Sequence, residues 1–395
     1  MMREAPMMIE TSRARALVVA AALLFMAAPV QAQSLLSVDG FGFPQTGLTG
    51  RARALGGIGL GIGGARLSSV DPAGAADMIA SSIAFTGSTS WVDVTQGDAS
   101  SDFSTTRFPM IALSYPAGSY GVVSVGFSTL LDQTWQDERA STVDIGGGGE
   151  AFVRDIFESE GDVSALEVGW ARRFGRIAVG ARGGRYTGSL RRSLTRVFDS
   201  VTVGSGVPPF QTAGSWDYSG FTGIVGASAS IGSQTFVSGS VRLSGELDAI
   251  ASEATDSDDE TISMPADMRV GASFLLAPDL VANAGFQYAD WSETDETGQA
   301  SWRVGGGVEW TGSTILGKDG AWRLGAQRAR LPFAPEGVED ATETLFSAGL
   351  ALQLVQSEVG PLGWFDFTLE FGGRSFGNVQ EDIVRSTLSV SLAGF

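Results

Sequence analysis

The chain contains no cysteine and no histidine. No Ser-His-Asp or Cys-His nucleophile can be assembled, no Cys/His zinc site can form, and no disulfide framework exists. Cationic charge is also scarce: 26 Lys and Arg stand against 44 Asp and Glu, for a net charge of −18. The surplus of Lys and Arg that neutralises phosphates is missing, which argues against a nucleic-acid partner. No apolar run approaches the roughly 18 residues of a helical membrane span. Nothing in the composition calls for a metal or a cofactor. What the chain does have is 54 glycines and 43% hydrophobic residues in a length of 395. That length suits two or three soluble domains or one large barrel. The combination of hydrophobicity and strong negative charge is what the sequence must explain.

The N-terminus gives the first part of the answer. Arg13 and Arg15 precede the apolar run Leu17 to Val30, and Val30 and Ala32 place small residues at positions −3 and −1 of a cleavage site. A run of 14 residues is too short to span a bilayer as a helix, which needs about 20. Residues 1–32 therefore read as a secretory signal peptide. This segment carries three Arg and two Glu, so the chain beyond it has a charge of −19. An exported, hydrophobic, acidic chain without helical spans belongs to the periplasm or to the outer membrane as a β-barrel.

The pattern from residue 81 to 395 favours an all-β transmembrane antiparallel barrel. In 301–310, Trp302, Val304, Val308 and Trp310 alternate with Ser301, Arg303 and Glu309. In 364–374, Phe365, Phe367, Leu369 and Phe371 alternate with Asp366, Thr368 and Glu370, and Arg374 follows. Leu166, Val168 and Trp170 alternate with Ala165, Glu167 and Gly169. A soluble sandwich shows the same period, so placement of tryptophan is the discriminating signal. Trp302 and Trp310 bracket one apolar face, and the seven other Trp fall at or near strand ends, as interfacial girdles do. Short connections at 115–119, 174–176, 231–234 and 277–279 and moderate ones at 312–320 and 356–363 suit periplasmic turns. The spacing then predicts fourteen strands, at 81–94, 105–115, 119–135, 163–174, 176–187, 212–231, 234–248, 262–276, 279–290, 299–311, 321–328, 342–354, 363–374 and 383–395, with both termini periplasmic.

This assignment locates the charge. The proposed outer loops 95–104, 136–162, 188–211, 249–261, 291–299, 329–341 and 375–382 together carry −18. The remainder of the exported chain is nearly neutral, as expected when charged residues avoid the lipid band. The 136–162 segment reads as a long outer loop with strand extensions. The acidic run Asp258-Asp259-Glu260 reads as a solvated loop face, and such loops offer divalent cations a bridge to lipopolysaccharide phosphates.

Residues 33–80 are Gly-rich and lack alternation, and an irregular stretch of that length points to function. Fourteen strands enclose more space than wall side chains fill, so this segment is expected to plug the lumen. Gly59, Gly61 and Gly64 match G-x-G-x-x-G but lack the strand before and helix after that a nucleotide site needs; close backbone packing is the simpler reading.

Two sets of motifs carry a family resemblance. The first is Gly50-Arg51-Ala52-Arg53-Ala54-Leu55-Gly56-Gly57 followed by Ser68-Ser69-Val70-Asp71-Pro72-Ala73-Gly74. The second is Met264-Pro265-Ala266-Asp267-Met268-Arg269-Val270-Gly271, Ala277-Pro278-Asp279-Leu280, Tyr288-Ala289-Asp290-Trp291-Ser292, Trp302-Arg303-Val304-Gly305-Gly306-Gly307-Val308-Glu309 and Trp322-Arg323-Leu324-Gly325. Together they resemble the FadL-type outer-membrane transporters, with Asp71 where the family has Asn in its Asn-Pro-Ala motif. The terminal Phe395 resembles the assembly signal of outer-membrane barrels and implies the barrel-assembly machinery as a partner.

The resemblance implies a fourteen-stranded barrel whose residues 33–80 form an N-terminal hatch. It implies a monomer in the outer membrane that moves hydrophobic small molecules such as long-chain fatty acids or aromatic and aliphatic hydrocarbons. An apolar pocket is then required. Candidate lining groups are Phe41, Phe43, Leu48, Leu55, Ile58, Leu60 and Ile62, with Arg51 and Arg53 as the cations for a ligand carboxylate, and Asp71, Pro72 and Ala73 as the hatch motif. Glu167, Arg182, Arg303, Glu309, Asp366, Glu370 and Arg374 face the lumen as a gate or, more simply, a paired charge network. A second reading is a non-transporting barrel, like the PorV-like relatives, that serves a secretion or surface-attachment system. An enzyme is not expected, because barrel hydrolases and proteases use the histidine this chain lacks.

Overall fold

The computed structural model describes residues 41–394 apart from 98, 147–148, 200–207, 256, 295–296, 335–337, 339–340 and 358–359. The signal peptide, residues 33–40 and Phe395 lie outside the described residues. A two-residue strand β1 (Phe43–Pro44) belongs to the N-terminal segment. The wall consists of β2 (Ser82–Gln96), β3 (Ala99–Pro116), β4 (Val122–Asp132), β5 (Trp135–Gly146), β6 (Gly149–Phe174), β7 (Ile177–Thr187), β8 (Ser189–Phe198), β9 (Phe210–Ile231), β10 (Thr235–Ala251), β11 (Glu260–Ser263), β12 (Asp267–Ala277), β13 (Leu280–Asp290), β14 (Ala300–Ile315), β15 (Lys318–Arg330), β16 (Thr342–Ser357), β17 (Gly360–Phe376) and β18 (Val379–Ala393). Three wall strands are interrupted. β4 resumes as β5 and both pair with β6; β7 resumes as β8 and both pair with β9; β11 resumes as β12 and both pair with β10. The result is a closed antiparallel barrel of fourteen strands. Closure is made by β18 on β2, from Val379 opposite Gln96 to Ala393 opposite Ser82.

Alternation decides which side of the wall each residue takes. Along β14, Arg303, Gly305 and Glu309 point inward and are buried, while Val304, Val308 and Trp310 are exposed on the outer face. Along β17, Thr368 and Glu370 point inward and Leu369 and Phe371 outward. An apolar outward band of this kind, closed on itself, is an outer-membrane surface. Trp91, Trp170, Trp310 and Trp322 stand on it. Trp291 does not. It is buried and meets Phe333 edge-on at 5.4 Å, because it follows the end of β13 and turns inward. Trp216 also packs against an interior cluster.

All six expected short connections lie at one end of the barrel, which by the rule for bacterial barrels is the periplasmic end. The moderate turn at 312–320 is tighter than its sequence indicates. β14 and β15 pair to Ile315–Lys318, and Leu316 (φ +52°) and Gly317 (φ +76°) adopt the left-handed pair of a type I′ hairpin. At the opposite end, the described residues of 95–104 and 375–382 are not loops but paired strand, up to Gln96 opposite Ala99 and Phe376 opposite Val379. In the 136–162 segment the expected strand extensions take up all the described residues, 136–146 of β5 pairing with β6 from Gly149. Beyond the lipid band there is no apolar face to betray a strand, so these extensions carry charge on both sides.

The N-terminal segment runs inside this wall. β1 pairs with the outer end of β4, Phe43 opposite Asp132 and Pro44 opposite Leu131. A five-residue helix, α1 (Gly50–Ala54), and a single 3-10 turn (Pro72–Ala75) follow before the chain reaches β2. β2 begins and β18 ends at the periplasmic side as expected, Ser82 opposite Ala393, while the described part of the N-terminal segment starts at Phe41 in the outer half of the lumen.

Candidate functional site in the barrel interior

A five-residue helix has no independent stability in water. α1 is held from outside itself. Thr49 caps it by accepting from the Ala52 N–H at 3.3 Å. The Gly50 N–H donates to Ser389 Oγ at 2.8 Å, Thr368 Oγ1 donates to the Gly50 carbonyl at 2.8 Å, and Ser347 Oγ donates to the Ala54 carbonyl at 3.1 Å. The chain beyond is held the same way: the Gly61 N–H donates to Ser238 Oγ at 2.7 Å, Asn283 donates to the Leu60 carbonyl at 3.2 Å, and Ser240 donates to the Val70 carbonyl at 2.8 Å. The wall thus supplies the partners that irregular buried backbone requires. Close approach explains the glycines. A Cβ on Gly56 would lie 2.3 Å from the Gly306 nitrogen, and one on Gly61 2.2 Å from the Ala272 nitrogen.

At the motif Asp71-Pro72-Ala73, Asp71 caps the 3-10 turn by accepting from the Gly74 N–H at 3.1 Å, and its other oxygen pairs with Arg66. Burial pulls the Arg66 guanidinium below its ordinary pKa, against the opposing pull of Asp71. Pro72 lies directly on Gly180 of β7 and Gly226 of β9.

The interior charges form linked pairs. Arg51 binds Glu309 with two bonds of 2.9 and 2.7 Å, and Glu309 also meets Arg323, which reaches Asp366. Arg53 pairs with Glu370 at 3.0 Å, which also meets Arg385. Glu343 accepts from Arg303 and from Arg374, each at 2.8 Å, and Arg374 continues to Glu381 at 3.2 Å. Glu167 pairs with Arg242 at 2.6 Å, and Arg182 stands 3.9 Å away. All seven wall charges singled out in the sequence lie in these networks. Arg51 and Arg53 are there too, bound to the wall and not free for a ligand carboxylate. Arg242, Arg323, Glu343, Glu381 and Arg385 escaped the sequence reading, although Arg323 and Arg385 sit on the same inward alternation. Glu381 had been placed in an outer loop; it is instead fully buried.

Beside the Arg303–Glu343–Arg374–Glu381 group, which sits at the outer ends of β14, β16, β17 and β18, an apolar cluster occupies the outer half of the lumen. Phe41, Leu131, Val163, Tyr186, Tyr218, Leu247, Trp291 and Phe333 belong to it, drawn from the N-terminal segment, six strands or their ends, and the connection between β15 and β16. Of the candidate lining groups, Phe41 alone enters this cluster. Phe43 packs with Leu331 and Phe376 under Arg374, whose guanidinium lies 4.0 Å from its ring centre. Leu55 and Ile62 pack with Ala52, Ile58 and Leu60 with Val70, and Leu48 with Leu67 and Met110. At the periplasmic end a cavity of about 500 Å³ separates residues 63–67 and 77–80 from β2, β17 and β18, with Arg51, Glu309 and Asp366 on its inner side.

No protein-family model and no curated protein matches the chain. Solved structures do. A Pseudomonas aeruginosa FadL homologue superposes with a TM-score of 0.57 at 12% identity over 89% of this chain and 100% of that one. The toluene transporter TbuX of Ralstonia pickettii gives 0.55 at 17% identity over 90% and 99%. The toluene transporter TodX of P. putida gives 0.55 at 12% over 90% and 99%. The fold is that of the FadL-type outer-membrane channels.

Proposed function

We propose that this barrel carries hydrophobic small molecules, long-chain fatty acids or aromatic and aliphatic hydrocarbons, inward through the outer membrane, with residues 33–80 acting as its hatch. The observation that carries this reading is the aromatic cluster in the outer half of the lumen. A water-filled pore keeps its interior polar. Here Phe41, Tyr186, Tyr218, Trp291 and Phe333, each no more than 9% exposed, pack into an apolar interior just inside the outer opening, whose surface becomes available to a solute that displaces one of them. A hydrophobic solute crosses the charged outer leaflet poorly, and such a surface exchanges leaflet for protein at little cost. The hatch below fills the lumen down to the periplasmic cavity, so entry and passage are separate steps. The ion pairs serve to fix the hatch to the wall.

The test has two arms. Mass spectrometry of compounds extracted from gently purified protein should find fatty acids or hydrocarbons. Cells carrying the protein should take up labelled fatty acids or alkylbenzenes faster than cells lacking it, and a deletion of residues 33–75 should remove that selectivity. Equal uptake by all three, with no extracted ligand and a co-purifying protein partner, would instead make this a structural component of a secretion system.

A further inference from the structure

A second, much smaller cavity lies on the seam between the N-terminal segment and the wall. The turn Phe43–Thr46 covers it, and Arg53, Arg303, Arg385, Glu343, Glu370 and Gln327 line it. Each of these six side chains is more than nine-tenths buried. Three guanidiniums therefore face two carboxylates. Adjacent Arg374 and Glu381 add a neutral pair and leave the surplus unchanged. An uncompensated buried charge is strongly destabilising, and arginine does not lose its proton in a protein.

The hydrogen bonds show where the surplus is directed. Arg53 Nη1 donates to Glu370 Oε2 at 3.0 Å, Arg385 Nη1 donates to the same oxygen at 3.4 Å, and Arg303 Nη1 donates to Glu343 Oε1 at 2.8 Å. Among the described residues, Arg53 Nε is buried without a protein partner, as is the acceptor Gln327 Oε1. The space is about 10 Å³, close to what one water-sized particle occupies. That size excludes a phosphate or the carboxylate end of a fatty acid. We propose that this cavity is a buried site for one small inorganic anion of the halide class, held by Arg53 and its neighbouring guanidiniums, and that the bound anion fastens the Phe43–Thr46 turn to the wall. The proposal is independent of what the barrel carries.

Bromide is the probe. Crystals of the full-length barrel grown in bromide should show an anomalous peak within hydrogen-bond distance of Arg53 Nε. Arg53→Gln balances the charges and should abolish it; if that variant does not assemble, Arg385→Gln serves the same purpose. At constant ionic strength, replacing chloride by gluconate should speed proteolytic cleavage in residues 41–47 several-fold in the wild type and leave the variant unaffected. Absence of an anomalous peak, meaning that a water sits there, overturns the proposal. So does a peak that persists in Arg53→Gln, or halide-independent cleavage of the wild type.

Discussion

The outer and inner halves of the lumen are built on different physics. On its aromatic side the outer half is held by contacts without direction: Phe41 meets Tyr218 edge-on at 5.8 Å, and aliphatic side chains from neighbouring strands fill around them. The inner half is held by directional bonds, with wall hydroxyls and amides on the main chain of residues 50–70 and arginines bridging to carboxylates. An apolar solute can replace an apolar contact and strand no polar group. It cannot replace a bond to a carbonyl or a carboxylate. On the proposed reading, the difference assigns exchange with a ligand to the outer half and makes residues 50–70 part of the wall.

The strongest way to break this contrast is to cut a bridging carboxylate. Glu309→Ala takes from Arg51 and Arg323 the carboxylate they share in the inner half. Removing one partner of a buried pair typically costs about 3–5 kcal/mol. Urea unfolding of the folded barrel in detergent should show a loss in that range, with Glu309→Gln retaining part of the stability. Next comes Gly305→Val. A Cβ there would stand 2.0 Å from the Gly56 carbonyl oxygen, a backbone-on-backbone contact with no side chain to yield. The expected cost is about 3 kcal/mol, the upper part of the overpacking range. It should appear as trypsin cleavage of the N-terminal segment while the barrel still resists.

A change in the outer half should behave otherwise. Phe41→Ala removes an aromatic contact from the cluster but touches none of the inner bonds. Retention of a hydrophobic probe should weaken by about 1.5 kcal/mol, roughly tenfold, with the urea midpoint nearly unmoved. If Phe41→Ala instead exposes residues 50–70 to trypsin, the two halves are one cooperative unit and the contrast fails.

The legible and illegible parts of this fold divide along the same physical line. Within the lipid band one face must be apolar, so alternation on β14 and β17 correctly sends Arg303, Glu309, Glu370 and Arg374 inward. Outside the band the constraint disappears: β5 carries Asp137, Glu138 and Arg139 in a row and still pairs with β6. Partners were illegible for another reason. Arg51 and Glu309 are 258 residues apart, and Arg53 and Glu370 are 317 apart, so no local pattern links them. The sequence shows which way each charge faces, and only barrel closure and the path of the N-terminal segment determine what it meets. The aromatic cluster is similarly assembled from strand ends such as Trp291 and from the loop residue Phe333, positions where periodicity has already stopped.

The smallest expected effect lies where the N-terminal segment leaves the lumen. Asp77 pairs with Arg173 of β6 through two bonds, a tie that looks like an anchor between segment and wall. Both side chains remain substantially exposed, 41% and 29%. Exposed pairs contribute about 0–1 kcal/mol, because water already serves the separated ions and ordering two side chains costs entropy. Asp77→Ala should therefore leave trypsin resistance of residues 50–70 intact and shift the urea midpoint barely. At about 1 M salt, where the screening length falls to ~3 Å, variant and wild type should coincide. If Asp77→Ala releases the segment as readily as Gly305→Val does, the hold is at the exit and not along the seam. The inner half would then be the movable part, and the roles assigned to the two halves would be reversed.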